Sequence, residues 1–326
     1  MSASNRMLSP SRLLNIFGPW FGLVLVIGLF SLSSEVRPYF LTGANFKIVL
    51  IQTVIVAIGT LGMTLIIVSG GIDLSVGSVV ALSSVVGATA LVKGCSPVVA
   101  VTLTIATGGG MGLINGLTIG GLRMMPFIVT LGMMGVARGA AKWLSRSQTV
   151  NAPETSINNV MALTDPRHLF PMPPGVWITV GLAVVMALVM RETVFGRYIF
   201  AIGANETAAR LSGIRVRLQK TIIYVVAGLF FGLAGLMQLS RLTQGDPTVA
   251  IGLELDIIAA VVIGGASLSG GTGSILGSMI GALIMAVLRN GSNQMGWPTY
   301  VQEIIIGVVI IIAVGLDKLR QSRMKS

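Results

Sequence analysis

Charged and polar side chains are scarce in the apolar stretches of this chain, and five of them are candidates for chemistry: Asp73, Ser75, Asn115, Arg138 and Asn290. A charge at the centre of a membrane helix costs ~2.5 to 3.5 kcal/mol on insertion scales unless it is paired or hydrated. Their chemistry is therefore that of a polar path through hydrocarbon, to which Gln52, Asn293, Gln294 and Glu303 add surface. Asp73 has a second reading, as a cap on the next helix that accepts from the amides of Ser75 and Val76, and its position favours that reading. Arg138 is expected to be held by an intramembrane partner or a hydrated cavity.

Other chemistries lack their residues. Cys95 is the only cysteine, which excludes an internal disulfide and a cysteine metal cluster. His168, the only histidine, lies in a Pro-rich loop beside Arg167, so no histidine triad or metal pair is available. No Gly-x-x-x-x-Gly-Lys-Ser/Thr phosphate loop occurs, so a nucleotide site would have to be on another chain. The expectation is a non-enzyme with no cofactor, no metal and no nucleic-acid partner.

The elements that position these residues are membrane helices. With 53% hydrophobic residues, 10% charged, 42 Gly and a mean hydropathy of +0.88, the chain reads as an all-α integral membrane protein forming one domain over residues 1–326. A span takes about 20 apolar residues. About ten apolar segments are expected, near 16–33, 48–68, 74–92, 98–118, 127–144, 176–190, 221–240, 253–265, 273–289 and 301–316. Arg6 and Arg12 precede the first, which is long for a signal peptide and is read as a retained span. Cytoplasmic termini would put Arg6, Arg12, Arg123, the central-loop cations and the basic tail on one side. This agrees with the positive-inside rule, and it places the loop between 145 and 175 outside.

The one long polar interruption, 192–219, is expected to be a cytoplasmic loop holding a helix over 206–212. Asn205 suits its N-cap, Glu206 complements the helix dipole, and Gly213 suits a left-handed stop. Two turns are too short to be stable alone, so the helix must pack on something. Ala208, Ala209, Leu211 and Ile214 are read as a low-relief face that docks in a partner's cleft, with packing on lipid headgroups as the alternative.

Two stretches, SGGIDLSVGS at 69–78 and IGGASLSGGTGS at 263–274, share GG, LS and GS between apolar runs. They suggest a duplication, with half-repeats roughly 16–144 and 176–316. The run before the second motif is only about half a bilayer long, so a re-entrant arrangement is open. Glycines at helical spacing, Gly132, Gly135 and Gly139, Gly228, Gly232 and Gly235, and Gly277 and Gly281, are expected to allow close helix packing.

The motifs GMTLIIVSGGIDLSVGSVVAL at 62–82, GRYIFAIGANETAARLSGIRV at 196–216 and ELDIIAAVVIGGASLSGGTGSILGSMIGALI at 254–284 together resemble permease subunits of ribose-type ATP-binding cassette sugar importers. The resemblance covers nearly the whole chain. It implies a bacterial inner-membrane permease that works by alternating access as one of a pair, either two identical copies or two sister subunits. Its partners would be a cytoplasmic ATP-binding cassette subunit, which hydrolyses the ATP, and a periplasmic sugar-binding protein. It further implies that the pattern from Gly203 through Asn205, Glu206, Ala208, Ala209, Arg210, Leu211 and Ser212 to Gly213 couples the permease to the ATPase. The segment NAPETSINNVMALTDPRHLF gives no hold on the cargo. Two alternatives stand beside this reading: a secondary transporter or channel for a small polar solute, and a branched-chain amino acid permease.

Overall fold

The computed structural model describes residues 10–162 and 171–325, so Arg6, Arg167 and His168 lie outside the described residues. The described chain is mostly helical, and the α-helices are α1 (Pro10–Ser31), α2 (Arg37–Phe40), α3 (Gly43–Val68), α4 (Val76–Val92), α5 (Pro97–Gly121), α6 (Pro126–Ser145), α7 (Pro174–Glu192), α8 (Val194–Ala204), α9 (Glu206–Leu211), α10 (Val216–Leu242), α11 (Leu253–Ile263), α12 (Ile275–Gln294) and α13 (Thr299–Lys325). A two-residue antiparallel pair, β1 (Val150–Asn151) with β2 (Gln244–Gly245), ties the long 145–175 connection to the segment after α10.

Helix starts follow local chemistry. Thr42 caps α3 by accepting from the amide of Asn45, and Ser274 caps α12 by accepting from that of Gly277. Ser96 does the same for α5, where Pro97 occupies the first turn, a position that needs no amide donor. Each of the ten apolar segments is helical, and five helices, α3, α5, α7, α10 and α12, are long and apolar enough to cross a membrane. α6, with Arg138 and Lys142 in its second half, is not among them. α11 has 11 residues, about 16 Å at the helical rise, which is half a bilayer. α13 runs on through Lys318, Arg320 and Arg323, so the basic tail extends a helix instead of following one, as suits side chains with high helix propensity.

α3 is the centre of the bundle, with 94% of its apolar window buried, and α10, α11 and α12 pack around it. The most extensive contact is between α5 and α10. It rests on glycines: a Cβ at Gly108 or Gly112 would strike the backbone of α10 near Gly228 and Tyr224, and one at Gly228 would strike Gly108 and Gly112 in return. Gly235 lies against Ser83 and Val80 of α4, and Gly277 and Gly281 lie against Gly264 and Ala260. The third expected stripe is different. Nothing within 4 Å would meet a Cβ at Gly132, Gly135 or Gly139, so that face of α6 packs on no other helix among the described residues.

Candidate functional site

The 192–219 segment is more helical than its charge suggested. Its first half, VFGRYIFAIGA, forms α8, started by Thr193 accepting from the amide of Gly196 and buried through Gly196, Ile199 and Ile202. Asn205 then caps α9, its Oδ1 accepting from the amide of Ala208 at 2.9 Å, and Glu206 sits in the first turn with an ion pair to Lys220 at 2.7 Å. The helix ends at Leu211, with Ser212 as the C-cap and Gly213 left-handed at φ +86°.

The packing of α9 corrects the expected docking face. Ala209 is 4% exposed and clusters with Ile202 and Val216, with Ile214 beside them, so this side holds α9 onto its own chain. Leu211, at 82% exposure, projects on the opposite side, and Ala208, Arg210 and Ser212 are exposed as well. A six-residue helix is kept in place by burying one of its sides, and the small alanine at 209 allows the close approach.

Gly203 is not on the outward face. A Cβ there would overlap the carbonyl oxygen of Val68 and crowd the amide of Gly271, which donates to that same carbonyl at 2.8 Å. Gly270 in turn abuts the α-carbons of Gly203 and Gly70. Gly70 of the first motif and Gly270 and Gly271, the second Gly-Gly pair of the other, therefore meet at the last turn of α8, immediately before α9. Gly70, Gly270 and Gly271 are all left-handed, at φ +84°, +83° and +75°, and pack backbone to backbone, which a side chain would prevent.

The remaining candidates fall into three separate places. Asp73, Ser75 and Asn115 form one buried cluster: Asp73 accepts from the Ser75 amide at 2.7 Å, from the Ser75 hydroxyl at 2.6 Å and from the Asn115 amide at 3.2 Å. The Val76 amide, an expected donor, is not part of it. Asn290 belongs to a structural chain in which Gln294 donates to both Asn290 and Asn45, fastening α12 to the start of α3. Arg138 is held by backbone: its Nη1 donates to the carbonyls of Pro247 at 2.7 Å and Val249 at 2.8 Å, in the segment after β2. Asp246 opens that segment. Burial would raise its pKa, but hydrogen bonds from Thr248 and Thr149 and the charge of Arg138 outweigh burial and hold it below the usual carboxylate range.

At the end of the bundle away from α9, a cavity of about 260 Å³ opens between α3, α10, α11 and α12. None of the five sequence candidates lines it. Asp256 of α11 is 3% exposed and pairs with Arg289 of α12, whose Nε and Nη2 both reach the same oxygen, Oδ2, at 2.8 and 2.6 Å. Gln52, Gln238, Arg241 and Asn293 complete its polar lining, and a second cavity of about 360 Å³ shares Gln52 and Arg241.

The bundle has an apolar core, polar groups gathered in a few clusters and two cavities, and a small exposed helix at one end; comparison with known proteins decides the family. Residues 45–314 match the family described as branched-chain amino acid transport system / permease component. The chain belongs to this permease family. The permease is 40% identical over 300 residues to the ribose import permease protein of Escherichia coli, covering 92% of this chain and 93% of that one. It is 42% identical over 302 residues to the ribose import permease protein of Bacillus subtilis, covering 92% of each. Against the D-allose transport system permease protein of Escherichia coli it is 33% identical over 305 residues, covering 93% and 91%. No solved structure matches it.

Sequence reasoning missed α8, the union of the two Gly-Gly motifs at Gly203, and the Asp256–Arg289 pair. For the pair, a carboxylate and a guanidinium flanking apolar runs was the available signal. Nothing local joined two residues 33 positions apart on different helices.

Proposed function

We propose that the permease is the membrane-spanning subunit of an ATP-driven importer of a monosaccharide, ribose or a related sugar, in the bacterial inner membrane. The observation that carries this is the match to ribose permeases along nine-tenths of both chains. The family description mentions branched-chain amino acids, but the relatives that match along most of this chain carry sugar names, and the sugar reading is preferred to the amino-acid one.

The permease hydrolyses nothing itself in this account. A cytoplasmic ATP-binding cassette subunit supplies the energy, a periplasmic sugar-binding protein delivers the cargo, and two permease copies, identical in the simplest assembly, enclose the path. Both termini lie in the cytoplasm, about ten segments cross or enter the bilayer, and the two halves, roughly 16–144 and 176–316, are duplicates whose Gly-Gly motifs face each other. The exposed side of α9, with Leu211 at its apex, docks in a cleft of the ATPase. Movement of α9 reaches α8 and then Gly203, where the backbone contacts with Val68 and Gly271 pass it to α3 and to the connection between α11 and α12. Such contacts leave little slack, because they are between main chains.

Replacing Leu211 tests the docking step. Leu211→Asp changes a side chain that touches solvent and leaves the buried side of α9 intact. The expected result is normal membrane insertion, loss of the ATPase on co-purification and loss of sugar uptake. Full recovery of the ATPase with the variant, at unchanged uptake, overturns the docking role.

A further inference from the structure

We propose that the cavity between α3, α10, α11 and α12 is a binding site for a single neutral sugar ring, held by the Asp256–Arg289 pair and the Gln52 amide through its hydroxyl groups. The inference rests on the sugar reading above and assigns the residues that meet the cargo inside the permease.

The cavity wall contains unused hydrogen-bonding capacity. Because both Arg289 contacts go to Oδ2, Asp256 Oδ1 is left buried with no partner, and Gln52 Oε1 is in the same condition. A buried acceptor without a donor is disfavoured, and two of them belong to residues that line one small cavity, so a donor is missing there. Arg241, on the same wall, makes no hydrogen bond or ion pair among the described residues and offers only donors. A ligand that satisfies all three must donate and accept within a short distance. Hydroxyl groups on adjacent carbons do both. Ile55 and Met285 add an apolar wall that suits the C–H face of a sugar ring. At about 260 Å³ the space is just below the ~300–1,000 Å³ usual for ligand pockets, which suits a small ligand such as one sugar ring.

The test uses the complete importer, permease with its ATPase and sugar-binding protein, in proteoliposomes given labelled ribose, arabinose or allose, with leucine as the amino-acid control. Gln52→Leu removes one acceptor without touching the ion pair, and Asp256→Asn keeps the shape of the carboxylate while removing its charge. ATPase co-purification and the thermal midpoint check that each variant folds and assembles. The expected result is about a tenfold fall in uptake of the preferred sugar, the size of one lost hydrogen bond, with a changed ratio among the three sugars in at least the Gln52 variant. Unchanged uptake and ratio in both variants overturns the site. So does an equal fall for all sugars with the ratio preserved, which is the behaviour of residues that only support the fold. A wild-type complex that moves none of the sugars but moves leucine removes the sugar reading itself, and this inference with it.

Discussion

At the scale of single residues, Gly203 carries the heaviest demand, because its hydrogen side faces main chain from two other segments. A methyl group there has no flexible side chain to push aside: it meets the Val68 carbonyl and the Gly271 amide. Overpacking of this kind costs about 1 to 3 kcal/mol, and Gly203→Ala is expected to lower the thermal midpoint and to reduce sugar moved per ATP hydrolysed. Gly213→Ala makes a useful contrast. Its Cβ would meet nothing, and the penalty is only the ~1 to 2 kcal/mol of a left-handed L-residue. It should loosen the end of α9 while leaving the junction intact, which hydrogen exchange over 206–214 would show. Arg138→Leu leaves the carbonyls of Pro247 and Val249 without their charged donor, a loss of about 1.5 to 3 kcal/mol. The 246–250 segment should then exchange faster and uptake should fall; wild-type exchange there contradicts the role given to Arg138. Asp246 adds a pH dependence. Its pKa is depressed in the fold, so its contribution is complete above the ordinary carboxylate range and is lost only as pH falls through the lowered folded value. Asp246→Asn should reproduce that acid-loosened segment at neutral pH.

At the scale of elements, α9 separates what a sequence discloses from what it withholds. Its start and stop were legible because a cap acts within a few residues: Asn205 bonds the amide three positions on, and Gly213 adopts a left-handed conformation that glycine tolerates far better than other residues. Its facing was not legible. Six residues contain too few turns for a hydrophobic period to emerge, and alanine suits a partner's cleft and a tight internal contact equally well, so Ala209 could be assigned to its own bundle only by seeing Ile202 and Val216 around it. α8 was not legible because its 11 residues, broken by Arg197, are too short an apolar run to read as a span. A prediction separates the two sides of α9. Ala209→Trp should destabilise the 192–219 segment itself and lower the yield of folded protein, whereas Leu211→Asp should spare folding and remove the ATPase. Equal yields of the two variants, with the ATPase retained only by Leu211→Asp, would reverse the assignment of the faces.

At the scale of the whole molecule, helix content and the positions of all ten apolar segments were readable from composition and run length, because a bilayer imposes one element type and a minimum span. Long-range assembly was not. The pairing of Asp256 with Arg289, the meeting of two Gly-Gly motifs and the enclosure of α3 are consequences of tertiary packing that no local pattern states. Orientation is a separate claim, and the lone thiol reports on it: Cys95, partly exposed between α4 and α5, should react with an impermeant maleimide from the periplasmic side in cells with an opened outer membrane. The central claim, that this permease admits sugar at the expense of ATP, is tested most directly by labelled-ribose uptake into proteoliposomes of the full complex. Uptake is predicted to require ATP on the cytoplasmic face and the sugar-binding protein on the other, and to continue after the proton gradient is collapsed; uptake that proceeds without ATP and stops with the gradient would contradict it.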